Sequence, residues 1–162
     1  MLLLPANLKQ ALIVQLNLER LNAAYYDALA TWCEFVTFDK SGVFFRNEAV
    51  NELSHYQKIS AYLIDRNEAP ILSELPKPIA ALTNLISAYQ AAAQREALTT
   101  QALDELYDLA EETGDNATCQ FLLWFIEEQV KSEREYYDFI QQLQRVGTGL
   151  GEQWFDEELV TT

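Results

Sequence analysis

The sequence predicts an all-α fold: four long helices in a bundle, one long crossover connection, and a short fifth helix at the C-terminal end. Three observations predict it. The 162 residues include only five glycines and four prolines, which leaves long stretches without the punctuation that many short strands need. Four of those stretches carry apolar residues in steps of three and four, the spacing of a helix with one buried seam. Three prolines (Pro70, Pro76, Pro78) cluster between the second and third stretches. They cannot continue a helix, and they leave a connection of roughly 15 residues that is long for a compact domain. A connection of that length can run along a neighbouring helix and join two parallel ones.

The first helix is expected from about Asn7, a capping residue, to about Phe35. Its seam reads Leu8, Leu12, Leu16, Glu19, Ala23, Tyr26, Ala30, Cys33, with Gln15, Asn17, Arg20 and Asp27 on a wet face. A turn around Asp39–Gly42 precedes a second helix from about Ser41 to about Asp65, with the seam Phe45, Glu48, Glu52, His55, Ile59, Tyr62. The crossover follows from Asn67 to about Ala81. The third helix runs to about Thr113 through Leu82, Leu85, Tyr89, Ala92, Glu96, Thr99, Leu103, Leu106 and Ala110. Gly114-Asp115 turns the chain into a fourth helix, from about Asn116 to about Val146, with Leu122, Phe125, Gln129, Ser132, Tyr136, Phe139 and Leu143 inward. Gly147, Gly149 and Gly151 form a joint. Beyond it an amphipathic helix over about 152–160 offers Trp154, Phe155 and Leu159, and it is too short to stand without packing on something. Residues 1–162 read as one domain, with the bundle over about 7–146.

Composition narrows the function. Half-apolar composition, at 49%, supports a folded core. A net charge of −14 argues against nucleic acid or an anionic membrane as a partner, because both require a basic face. Cys33 and Cys119 are far apart and form no metal or redox motif. The apolar start Met1–Leu4 is too short for a signal-peptide core, and no run reaches the length of a membrane span. A soluble, cytoplasmic protein is the expectation.

The chemistry lies in the polar residues on the seams. Glu19, Glu52 with His55, Glu96 and Gln129 give every long helix a polar inward position, and equal separations within the two hairpins can put all four at one level of the bundle. Several buried carboxylates without a Lys or Arg on the same stripes cost several kcal/mol each. Two metal ions neutralise them best, and Glu52-Leu53-Ser54-His55 is a Glu-x-x-His motif of the kind di-metal carboxylate bundles use. Mostly oxygen ligands with one imidazole suit Fe or Mn, with zinc as a competitor. Tyr26, two turns from Glu19 on the same face, is within reach to hydrogen-bond a ligand or supply an electron. Each residue alone has a plainer reading as core packing or a solvated face; the coincidence on four seams carries the inference.

These residues resemble the ferritin family over nearly the whole chain. The matching stretches are Leu16–Glu19 through Ala30–Cys33, Phe44–His55, Ala61–Ile64 and Phe121–Gln129. The resemblance implies a ferritin-like bundle in a 24-subunit homo-oligomeric cage that oxidises Fe2+ with O2 or H2O2 and stores ferric mineral. It implies a dinuclear iron site, with one iron on Glu19, Glu52 and His55 and the second on Glu52 and Glu96 beside Gln129. Glu52 and Tyr26 take the catalytic roles. A second Glu-x-x-His is absent, and Met1 is the one methionine, so no haem is expected. Ser132 stands where many bacterial ferritins have a carboxylate, and Glu48 and Glu128 are the candidates for an accessory or transit site. Two rival functions remain at this stage: a di-metal carboxylate oxidase or oxygenase acting on an organic substrate, and a ferritin-like assembly subunit with little turnover.

Overall fold

In the computed structural model, residues 3–77 and 81–160 are described. Met1, and Pro78 of the proline cluster, lie outside them. Every regular element among the described residues is helical: α1 (Ala6–Phe35), α2 (Asp39–Asp65), α3 (Leu85–Glu112), α4 (Asn116–Val146) and α5 (Leu150–Glu158). This is a ferritin-like four-helix bundle with a short C-terminal helix. None of these helices is long and apolar enough to cross a membrane.

Hairpins pair α1 with α2 and α3 with α4, and α1 also lies against α3. Tyr26 meets Glu96 and Asn22 meets Thr99, so α1 and α3 run antiparallel. Because α2 opposes α1 as well, α2 and α3 are parallel, and the connection between them must return along the bundle. It does so on α1. The Asn17 amide donates to the Ile71 carbonyl at 2.8 Å and accepts from Ser73 N at 2.9 Å, and Arg20 donates to the Ser73 carbonyl at 3.0 Å. Two residues assigned to a wet face are thus the clasp of the crossover.

Four helix starts differ from the sequence expectation; that of α5 lies at Leu150 rather than about 152, so Gly151 of the expected joint is helical. Helix α1 begins at Ala6 with Pro5 as its cap residue, and Asn7 instead accepts from Leu8 N inside the first turn. Helix α2 begins at Asp39, so Asp39–Gly42 is helix rather than turn, and the reversal is made by Val36–Phe38 with Thr37 at φ 66°. The cause is tertiary. Asp156 of α5 accepts from Ser41 N at 2.7 Å and Lys40 N at 3.2 Å, capping amides that have no partner within the helix. Helix α3 begins at Leu85, four residues later than expected, because Asn84 and Ser87 form a reciprocal capping box.

Helix α5 packs on its own bundle through Phe155 and Leu159, two of the three apolar residues expected to do so, and also through two acids. Its buried residues are Glu152, Phe155 and Asp156, followed by Leu159, whereas Trp154 is exposed. Glu152 accepts from Ile86 N at 3.2 Å, so α5 caps α3 as well as α2. The fold-back requires Gly151: a Cβ there would sit 2.1 Å from the Val146 carbonyl oxygen.

The core has two parts. One gathers Leu8, Leu12, Leu16, Ile59, Leu63, Leu103, Leu106 and Leu122 with their neighbours; the other gathers Tyr26, Phe44, Phe45, Tyr89, Tyr136 and Phe155. Along α1 the break between them falls after Leu16 and before Tyr26. Along α2 it falls between Ala49 and Ile59, along α3 between Ala92 and Leu103, and along α4 between Phe125 and Tyr136. All four seams are therefore interrupted at one level, and polar residues fill the gap.

Candidate metal centre

The layer is built from four helices held in register by their apolar turns on either side. Glu19 is fully buried, and Glu52, Glu96 and Gln129 are nearly so. Glu19, Glu52 and His55 offer ligand atoms that all lie within 4.8 Å of one another, the arrangement among the described residues that suits a metal ion. His55 Nδ1 stands 3.6 Å from Glu19 Oε2 and 3.5 Å from Glu52 Oε2. The imidazole is wedged edge-on against Trp124 and Phe125, at 5.4 and 5.8 Å between ring centroids. Glu19 Oε1 accepts from the Gln15 amide at 2.6 Å, while its Oε2 is buried with no hydrogen-bond partner among the described residues. A buried carboxylate oxygen left without a hydrogen bond beside an imidazole suits a cation, since leaving such an atom unpaired is costly.

The other half of the layer is differently satisfied. The Tyr26 hydroxyl donates to Glu96 Oε1, and the Gln129 amide donates to Glu96 Oε2 at 2.9 Å. Gln129 also approaches Thr100 Oγ1 at 3.2 Å. Glu96 thus has a donor on each oxygen.

Crowding of acids in this buried layer shifts their titration. Burial drives Glu52 well above the ordinary carboxylate range, and the neighbouring Glu19 charge adds to it. Burial opposes ionisation of Glu19 too, but the neighbouring His55 and Glu52 and the Gln15 bond outweigh it and hold the group below its usual value. Burial also works against protonated His55, yet the two carboxylates win and push it up to about 10. Burial raises Glu96 against its two donors. Without metal, the proton on His55 therefore neutralises part of the layer.

Glu48 lies one turn before Glu52, half-buried, accepting from the Asn51 amide at 3.0 Å; burial and then the Glu96 charge push it up to about 7. It lines a pocket of about 270 Å³ with Glu52, His55, Glu128, Ser132 and Glu135. Glu128 belongs to the wall of this pocket rather than to the triad, and its carboxylate is ion-paired with Lys131 at 2.6 Å. A broader groove of about 680 Å³ between α1 and α3 reaches the layer at Gln15 alone.

Two residues escaped the sequence reading. Gln15, assigned to a wet face, is buried and holds Glu19. Asn22 is fully buried, donates to Thr99 Oγ1 at 3.0 Å and Glu52 Oε2 at 3.4 Å, and accepts from Arg95 Nε at 2.7 Å. The signal was present: Gln15, Glu19, Asn22 and Tyr26 follow one another at helical spacing on one face.

Comparison with known proteins agrees with this architecture. The family model described as a ferritin-like domain matches residues 9–146. The chain is 32% identical over 148 residues to a bacterial non-heme ferritin of Escherichia coli O6:H1, covering 91% of this chain and 90% of that protein. It is 32% identical over 145 residues to a bacterial non-heme ferritin of Staphylococcus epidermidis, covering 90% and 87% of the two chains. With one of Staphylococcus aureus (strain USA300) it shares 30% identity over 166 residues, 96% of this chain and all of the relative. By its bundle, its interrupted seams and these matches, the chain belongs to the ferritin family.

Proposed function

We propose that the protein oxidises Fe2+ at the polar layer, using O2 or H2O2, and stores the ferric product within a homo-oligomeric cage of 24 subunits. The relatives are named as non-heme ferritins, and iron storage is the reading that follows for this chain. The single observation that carries the site is the buried Glu19–Glu52–His55 triad with its unpartnered carboxylate oxygen.

In this reading iron is the substrate. The first ion takes Glu19, Glu52 and His55, and the second takes Glu52 and Glu96 with Gln129 beside it. Carboxylates stabilise Fe3+ more than Fe2+, so a site rich in them favours oxidation. The chain's own residues do three further things. His55 gives up its proton as a cation arrives, because its carboxylate neighbours otherwise keep it protonated. Tyr26 and Gln129 occupy both oxygens of Glu96, so the second ion must displace a hydrogen bond to reach it. The pocket beside Glu48 and Ser132 gives a polar passage to the triad.

Aerobic addition of Fe2+ to the purified protein tests the reading through ferric absorbance, with Glu52→Ala as the control for the site. A variant as fast as wild type removes the site assignment. Light scattering tests the cage, and a monomer or dimer in solution refutes it.

A further inference from the structure

A second tyrosine stands at the level of the site. Tyr136 of α4 is fully buried, and its ring lies parallel to that of Tyr26, with centroids 6.4 Å apart and planes at 5°. Phe44 packs edge-on against it at 5.9 Å, and Tyr89 lies at 6.5 Å. A buried phenol ordinarily finds a partner for its hydroxyl. The Tyr136 hydroxyl has none among the described residues. The neighbouring Tyr26 hydroxyl spends its proton on Glu96, so Tyr136 receives none from it and keeps its own proton to give.

Packing does not account for the oxygen atom. A phenylalanine would fill the same aromatic space without burying an unpaired hydroxyl. Burial, and then the charges of Glu48 and Glu96, hold the phenol well above its ordinary range, so the group remains a protonated donor. Donors are scarce on this side of the layer. Both the Tyr26 hydroxyl and the Gln129 amide are engaged by Glu96. A dioxygen, a peroxide or a small anion arriving there brings acceptor lone pairs and meets mostly acceptors.

We propose that the Tyr136 hydroxyl donates a hydrogen bond to an oxygen species or small anion held on the Glu48–Glu96 side of the layer, and so orients the oxidant beside the second metal position. The proposal rests on the reading of the layer as a metal centre. Its basis is the pairing of Tyr136 with Tyr26 and the unpartnered, fully buried oxygen.

The test is azide binding to the Co2+-loaded protein, followed through the visible Co2+ bands, in wild type and Tyr136→Phe. Azide is an anionic acceptor and needs no turnover. The expected result is unchanged Co2+ stoichiometry and a loss of azide affinity of about tenfold in the variant, the scale of a hydrogen bond to a charged group. Its thermal midpoint is expected to be no lower than that of wild type. Equal azide affinities overturn the proposal while leaving the metal centre standing. Altered Co2+ stoichiometry in the variant also overturns it, because Tyr136 would then act on metal holding. A wild type that shows no Co2+ bands refutes the metal centre and this proposal together. Wild type that binds Co2+ and discriminates azide, yet does not oxidise Fe2+, refutes the oxidation reading and retains the donor.

Discussion

The two helical hairpins bring acids to the same level of one bundle and leave them in opposite states. In the α1–α2 hairpin, Glu19 Oε2 is buried without a hydrogen-bond partner, and His55 Nδ1 stands 3.6 Å from it and 3.5 Å from Glu52 Oε2. In the α3–α4 hairpin, Glu96 has Tyr26 on one oxygen and Gln129 on the other. The first half is under-satisfied and the second is complete. A cation entering the first half relieves an unmet demand, whereas one entering the second must displace hydrogen bonds already made. The layer is therefore unequal before any metal binds, and it should fill in order, first at the triad and then at Glu96.

The largest effect is expected at Glu52, the residue common to both halves. Glu52→Ala should slow Fe2+ oxidation by at least about 100-fold, since even residues that only support a metal ligand change affinity or activity by 10–100-fold. Stopped-flow measurement of ferric absorbance checks it. Glu96→Ala should remove only the second equivalent of Zn2+ in a calorimetric titration and leave the first intact. Loss of both equivalents would mean that the halves are not separable.

The hairpins are joined at the far end by a different kind of pair, and it sets the next effect. Arg66 at the end of α2 donates to both Asp115 oxygens, at 2.9 and 2.6 Å, and Asp115 also caps α4 by accepting from Thr118 N at 3.0 Å. Asp115→Asn should cost about 2 kcal/mol, from the loss of a bidentate pair and the weakening of a cap, measured by chemical denaturation. The bond to Arg66 holds the Asp115 carboxyl down to about 2, below its ordinary 3.8. A depressed carboxyl contributes stability that is complete above the unfolded value and lost as pH falls through the folded one. The gap between wild type and variant should therefore close between about pH 4 and pH 2.

At the triad the shift is upward rather than downward. Its two carboxylates push His55 up to about 10, so the imidazole is protonated at neutral pH and must lose that proton to bind a metal. Zn2+ affinity at the first equivalent should rise by about tenfold per pH unit between pH 6 and 8, with at least about one proton released per ion. Calorimetry in two buffers of different ionisation heat counts the protons. A flat pH profile would mean that His55 is not a ligand.

Helical period is a local property, and that is why the bundle was legible. Steps of three and four along each stretch put Glu19, Glu52, His55, Glu96 and Gln129 inward without any knowledge of partners. What escaped depends on contacts distant in the chain. Nothing near Asp39 in sequence announces that Asp156 will cap α2 from α5, and apolar content marked Phe155 and Leu159, which the fold buries, but not Glu152 and Asp156, which it buries beside them. Asn17 and Arg20 look like surface residues until the crossover lies on them. Asn84 is the exception. Its capping box with Ser87 was readable, but the apolar Leu82 drew the expected helix start upstream.

The smallest effect is the most direct test of the inequality between the halves. Tyr26→Phe keeps the ring between Phe45 and Tyr136 and removes only the hydroxyl that occupies Glu96. A hydrogen bond of that kind is worth about 1 kcal/mol net, which is about fivefold in affinity. Without it Glu96 resembles Glu19, a buried carboxylate with a free oxygen. The second Zn2+ equivalent should then tighten about fivefold and the first should not move, so the two binding steps converge. If the second step weakens instead, Tyr26 helps to hold the metal by orienting Glu96, and the unequal filling of the layer has another cause.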